Sequence, residues 1–238
     1  MKLDILAVGV HPDDVELSCS GTILKHLAKG KKIGILDLTH GELGTRGNAE
    51  LRLKEAQKAA QILGVEFREN LGLADGYFEN NPQTIKKIIP VIRKYQPDIV
   101  LCNAIHDRHP DHGRAAKLVS DACFYAGLLK IETEMDGIKQ NRWRPKAVYH
   151  YIQDYHIEPD FVVDVTPYVD KKLEAIKAFA SQFYNPDSKE PETPISTKNL
   201  FDVVKGKMAV LGRPIGVAFA EGFTKERYIG VEDLTALI

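Results

Sequence analysis

Leu3-Asp4-Ile5-Leu6-Ala7-Val8-Gly9-Val10-His11-Pro12-Asp13-Asp14 is the stretch on which the fold turns. Leu3–Val10 is an apolar run of strand length, and it stops at a histidine, a proline and two acids. Outward from it, strand and helix patterns alternate. Glu16–Lys29 reads as a helix closed by Gly30, and Lys32–Leu38 as a second strand. Asn48 is placed to cap a helix over Ala49–Leu63 that ends at Gly64. Val65–Asn70 is a weaker strand, and Pro82–Tyr95 a helix that Pro90 could kink. Ile99–Asn103 is a further strand, followed by an Ala-rich helix over Gly113–Leu129. This alternation predicts an α/β, Rossmann-like fold, a mostly parallel sheet with helices on both faces.

Beyond residue 130 the pattern loosens. Ala147–Tyr151 and Phe161–Val165 read as strands, Asp170–Phe179 and Asn199–Leu211 as helices, and Ile215–Ala220 as a last strand. Asn185–Thr197, with three prolines among polar residues, reads as an exposed loop. No repeat or composition shift marks a boundary, so residues 1–238 are expected to form one domain with a C-terminal extension of the core. Its 238 residues are 44% hydrophobic and 27% charged, ordinary values that argue against disorder. Lys and Arg total 32 against 33 Asp and Glu, so the basic excess of a nucleic-acid binder is missing. The first apolar run is too short for a signal-peptide core, and nowhere do about 18 uncharged apolar residues run together. Three cysteines, without a CxxC, read as free thiols in a reducing compartment. The expectation is a cytoplasmic protein with no membrane or nucleic-acid partner.

Two clusters carry the chemistry. His11-Pro12-Asp13-Asp14 follows the first strand, and His106-Asp107-Arg108-His109-Pro110-Asp111-His112 follows Ile99–Asn103. Open parallel sheets bind ligands beyond the carboxyl ends of strands, where strand order reverses. Strands 1 and 4 flank that crevice in the doubly wound order 3-2-1-4-5-6. Four of the eight histidines fall in these clusters, whereas His26, His150 and His156 lack comparable company and read as surface or satisfied core residues. A catalytic zinc takes three protein ligands and keeps an open position. His11, Asp14 and one histidine of the second cluster would supply them. Asp13 could then take a proton from a water made acidic by the metal, and His109 with Asp111 could form a second pair.

With Thr39-His40-Gly41-Glu42-Leu43-Gly44, the two clusters resemble the three signatures of the zinc-dependent N-acetylglucosaminyl deacetylases, the LmbE-like or PIG-L superfamily. Asp107–His112 as a whole, with Ser181-Gln182-Phe183 and Ala220-Glu221-Gly222-Phe223, is similar to the bacillithiol-biosynthesis branch, which deacetylates N-acetylglucosaminyl malate. The resemblance implies His11, Asp14 and His112 as ligands of Zn2+, with Fe2+ as the alternative. It implies Asp13 as general base, and His109, oriented by Asp111, as the group that stabilises the oxyanion or protonates the leaving amine. Arg52 matches an arginine that contacts sugar hydroxyls, against the plainer reading of a helix charge paired with Glu50 or Glu55. Arg108 and Arg46 are candidates for the malate carboxylates, because a guanidinium suits bidentate carboxylate binding. A tyrosine that polarises the amide carbonyl is expected as well, with Tyr155 and Tyr184 as candidates. Cys19 reads as a small helix-packing residue, and a homo-oligomer, a hexamer in some relatives, is implied by resemblance only.

Rival readings are a deacetylase of another N-acetylglucosamine conjugate, a non-haem iron oxygenase, a nucleotide-binding module and a metal-binding protein without catalysis. An oxygenase site needs no base beside its two histidines and carboxylate. A nucleotide module would place a GxGxxG turn where this chain places two acids that repel a pyrophosphate.

Overall fold

The computed structural model describes residues 1–238, apart from the side chain of Ala236. Its first half is a regular strand–helix alternation: β1 (Ile5–Gly9), α1 (Asp14–Ala28), β2 (Ile33–Thr39), α2 (Ala49–Leu63), β3 (Arg68–Leu73), α3 (Pro82–Tyr95), β4 (Ile99–Cys102) and α4 (Pro110–Ala126). A two-stranded hairpin, β5 (Glu134–Met135) and β6 (Ile138–Lys139), precedes β7 (Ala147–Tyr151), β8 (Phe161–Asp164), α5 (Val169–Lys177), α6 (Leu200–Gly212) and β9 (Ala220–Lys225). The main sheet has seven strands in the order β3-β2-β1-β4-β7-β9-β8. Its first five strands are parallel, while β9 runs antiparallel to both β7 and β8. No helix among the described residues is long and apolar enough to cross a membrane.

The continuous burial of β1 and β2 follows from helices on both faces of the sheet. Leu6 and Val8 of β1 pack with Ile88, Ile92, Leu118 and Val119 of α3 and α4. Ile5 and Ala7, pointing the other way, pack with Val15, Cys19 and Ile23 of α1. Each large aliphatic side chain buried in this way contributes about 1.5–3 kcal/mol. The helix ends follow local chemistry. Asn48 and Asn81 accept main-chain N–H bonds from Leu51 and Thr84, and Gly64 closes α2 at φ 81°.

β1 pairs with β2 on one side and β4 on the other, so the chain reverses direction across the sheet between β1 and β4. That is the switch point at which the two His–acid clusters were expected. Both helices that follow start earlier than the apolar patterns suggest, α1 at Asp14 and α4 at Pro110. Proline is suited to the first helical position, so Pro110-Asp111-His112 becomes a first turn and not a loop. The expected strand Ile215–Ala220 is corrected to Ala220–Lys225. Pro214 lies in a 3-10 turn and Gly216 takes φ 72°, which delays the strand. The β5–β6 hairpin, absent from the sequence reading, turns on Asp136 and Gly137, both at positive φ.

Candidate metal centre and its cavity

β1 turns sharply into α1 because Gly9 lets the chain fold back on itself. A Cβ there would lie 3.1 Å from the His11 carbonyl and 3.2 Å from Asp14 Cβ. The His11 N–H donates to Asp14 Oδ2 at 2.9 Å, which fixes the turn. Asp13 takes φ 158° and ψ −19°, a backbone that L residues rarely adopt and that persists only where its surroundings over-determine it. Its buried Oδ1 is 3.2 Å from Arg52 Nη2, while its Oδ2 has no hydrogen-bond partner.

The second cluster closes on the first. Asp14 Oδ1 lies 3.2 Å from His112 Nε2, and Asp14 Oδ2 lies 3.7 Å from His11 Nδ1. Asn103 Nδ2 and Gln153 Nε2 donate to Asp14 at 2.9 and 3.1 Å and hold its carboxylate in place. Each of these two histidines has its other nitrogen on an acid. His112 Nδ1 is 2.6 Å from Asp107 Oδ2, and His11 Nε2 is 3.0 Å from Asp75 Oδ1. An outer carboxylate on one ring nitrogen with the other left inward is the arrangement of metal-ligating histidines. The His109 ring sits 4.7 Å from that of His11 and 5.2 Å from that of His112. Among the described residues, ligand atoms of His11, His109 and His112 gather within 4.8 Å, as do those of His11, Asp75 and Asp111. Two inward imidazole nitrogens and a carboxylate suit a borderline divalent ion such as zinc, so the residues fit the implied metal.

The charges divide along the same lines. Burial works against ionising Asp14, yet His112 and His11 outweigh it and hold its carboxyl well below the usual range. Burial pushes Asp13 up to about 6, with Arg52 pulling in the opposite direction. Burial opposes the charge on His112, but Asp14 and Asp107 raise it to about 10. Burial, reinforced by the charges of His11 and His112, lowers His109.

Not every expected residue arrives as expected. Arg52 is buried and does not pair with Glu50 or Glu55. It spans Asp13, the Gly41 carbonyl (3.1 Å) and the Pro12 carbonyl (3.4 Å). Gly41 must be glycine, because a Cβ there would fall 1.9 Å from Arg52 Nη1. Arg46 is corrected from a substrate contact to a loop anchor. Its guanidinium is consumed by the carbonyls of Ser181, Phe183 and Pro191, and it does not line the cavity. The carboxylate of Asp111 bonds the Gly76 N–H and Arg114, not His109. What meets His109 Nδ1 is the Asp111 main-chain N–H, at 3.3 Å, so orientation of His109 by that carboxylate is also corrected. Tyr155 lines the cavity, whereas Tyr184 does not. Cys19 is buried in α1 and burial drives its thiol pKa up, as suits a packing residue. His150 is a satisfied core residue, bonded to the Asn103 carbonyl and Glu226.

Asp75, Asp107, Asn103 and Gln153 were missed as site residues. Asp75 lies just beyond β3, and the rule that placed the other acids at strand ends would have found it. A cavity of about 520 Å3, within the ordinary range of ligand pockets, opens over the centre. His11, Asp13, Asp14, His109 and His112 line it together with the apolar Ile195, Val204 and Met208.

The model of the GlcNAc-PI de-N-acetylase (PIG-L) family matches residues 6–123. The diacetylchitobiose deacetylase of Thermococcus kodakarensis is 31% identical over 191 residues, covering 75% of this chain and 70% of that protein. A Bacillus anthracis protein named probable N-acetyl-alpha-D-glucosaminyl L-malate deacetylase 2 is 28% identical over 195 residues, 75% of this chain and 81% of its own. The crystal structure of the conserved protein TT1542 from Thermus thermophilus superposes with a TM-score of 0.85 at 34% identity, over 97% of this chain and 98% of that one. An alignment above 30% identity over most of both sequences, on top of the motif match, leaves one placement: this chain belongs to the PIG-L family of LmbE-like deacetylases.

Proposed function

We propose that the protein hydrolyses the acetamide of an N-acetylglucosaminyl conjugate, with N-acetylglucosaminyl malate as the specific substrate. The observation that carries the reaction is Asp13. Its buried Oδ2 has no partner, and the residue lines the cavity together with Asp14, His11 and His112. His11, Asp14 and His112 would hold a divalent metal, zinc or iron(II), which supplies Lewis acidity and lowers the pKa of water.

The remaining work belongs to the chain. Asp13, fixed by Arg52, accepts the proton of the attacking water as its oxygen bonds to the acetyl carbon. His109 Nδ1 accepts an N–H, which assigns its proton to Nε2, free to hydrogen-bond the oxyanion, and Asp13 passes the proton it took from water to the departing amine. The C–N bond breaks to give acetate and the free amino sugar. The malate aglycone is supported by the motif resemblance and by the name of the Bacillus anthracis relative. Mass-spectrometric measurement of acetate release from N-acetylglucosaminyl malate, free N-acetylglucosamine, N-acetylglucosaminyl inositol and diacetylchitobiose tests both levels. Release from none of them refutes the reaction, and equal efficiency on the malate conjugate and the free sugar refutes the specific substrate.

A further inference from the structure

Gln153, just after β7, reaches the ligand set with a side chain whose orientation the fold dictates. Its Oε1 accepts the Ala104 N–H at 3.0 Å and Asn103 Nδ2 at 3.1 Å, so the amide nitrogen faces the other way. That nitrogen, Nε2, donates to Asp14 Oδ1 at 3.1 Å and lies 3.4 Å from His112 Nε2. Asp14 Oδ2 is already filled by the His11 N–H and Asn103 Nδ2, both at 2.9 Å, which leaves Oδ1 as the oxygen turned toward His112.

A primary amide carries two N–H bonds on one nitrogen, and Asp14 Oδ1 takes one of them. The other polar atom within reach is His112 Nε2, whose lone pair is the one the implied metal would use. In the loaded protein the second N–H is therefore left without an acceptor, on a residue that lines the cavity with Asp13, His109 and His112. The His109 ring lies 5.2 Å from that of His112, so His109 and Gln153 border the same imidazole. Tyr155, the cavity tyrosine, stands apart from this group. It is 46% exposed, with its ring 5.5 Å from that of His106.

We propose that Gln153 is a second oxyanion donor, whose spare N–H bonds the acetamide oxygen as water adds to the carbonyl carbon and the C=O π pair moves onto that oxygen. The proposal rests on the deacetylase reading above and adds to it the donor that works beside His109. Ala104 and Asn103 hold the far side of the amide before substrate arrives, so no reorganisation is needed at the moment of reaction. Removing one donor of this kind costs about 10²–10³ in kcat.

Two variants test it. Gln153→Met removes both N–H groups at nearly unchanged length, and Gln153→Glu removes them while keeping an acceptor for Ala104 and Asn103, which guards against misfolding. Both are loaded with excess zinc, and their zinc content is checked by elemental analysis. On N-acetylglucosaminyl malate, kcat should fall about 10²-fold while KM moves by less than about threefold. Calorimetry should show that glucosaminyl malate carrying an N-methylphosphonyl group, whose tetrahedral oxygens stand in for the oxyanion, binds the variants about 10- to 10²-fold more weakly than wild type. Recovery of the wild-type kcat once zinc saturates would mean that Gln153 serves only Asp14, and it overturns the proposal. Unchanged phosphonyl affinity, or a loss confined to KM, overturns it as well. Wild type that releases acetate from no conjugate refutes the deacetylase reading and the donor with it, whereas wild-type activity that both variants match overturns the donor alone.

Discussion

Asp13→Asn separates catalysis from metal binding within one dipeptide. The substitution keeps the shape of the side chain, and an amide oxygen at Oδ1 can still accept from Arg52 Nη2, now 3.2 Å away. Arg52 also retains the Gly41 and Pro12 carbonyls, so the loop it ties stays closed. What disappears is the basicity of Oδ2, the atom with no protein partner. Loss of general-base help costs about 10²–10⁴ in rate, or about 3–5 kcal/mol of barrier. Stability should move by no more than about 1–2 kcal/mol, because a buried charge is removed while an amide N–H with no acceptor is introduced. Asp14→Asn should act differently. Asp14 faces both His11 Nδ1 and His112 Nε2, and a neutral amide is a poor zinc ligand. Elemental analysis and acetate release on the two purified variants make the comparison. The expected pair is a metal-loaded, nearly inactive Asp13→Asn beside a metal-poor Asp14→Asn. An Asp13→Asn enzyme that turns over near the wild-type rate, or that arrives without metal, would refute the division of labour.

Three further expectations follow from contacts away from the reacting amide. Asp107→Asn removes the carboxylate on His112 Nδ1 and should weaken metal affinity about 10- to 100-fold, measured by competition with a chelator. Lys172→Met leaves Glu221, which also accepts the N–H groups of Gly21 and Thr22, as an unpaired buried charge. Urea unfolding should show a loss of about 3–5 kcal/mol. His150 is raised to about 11: burial opposes its charge, but Cys102, Glu226 and the Asn103 carbonyl outweigh it. Its stabilisation is therefore complete below about 6.5, the ordinary histidine value, and is lost as pH climbs toward 11. Between pH 7 and pH 9 the unfolding free energy should fall by about 1–2 kcal/mol, discounted for the partly exposed Glu226. Glu226→Gln should flatten that slope, and an unchanged slope would refute the assignment.

The parallel half of the fold was legible because its signals are local. Apolar runs, Asn caps and closing glycines repeat at short range, whereas the strand order itself is a property of the folded sheet. The C-terminal part was harder because its decisive contacts are distant in sequence. Glu221 reads as a lone acid in the apolar stretch Val217–Phe223, yet it lies buried against Lys172 and caps main-chain groups of α1, about two hundred residues away in sequence. Arg68 likewise weakens the strand pattern of β3, but it is buried because Asp37 and Glu16 neutralise it from β2 and α1. An isolated charge in a sequence says nothing about whether its partner will be waiting.

The same limit explains which residues of the candidate site the sequence singles out. His11, Asp13, Asp14, His109 and His112 stand in dense clusters at strand ends, and cluster density at a switch point is visible in one dimension. The arginines differ from one another only in their partners, which composition does not show. Arg46, Arg52 and Arg108 were all plausible contacts for an acidic or hydroxylated substrate, yet the fold spends them differently. Three carbonyls consume Arg46, Asp13 and two carbonyls hold Arg52, and Arg108 alone keeps its Nη pair free at the cavity rim. Lys207 could not have been singled out, since nothing near it in sequence is chemically unusual. What sets it apart is that α6 carries it to the carboxylate already engaged by Arg108. The clustered His and Asp residues were therefore readable from residue types, whereas which cations the folded chain leaves without a full partner was not.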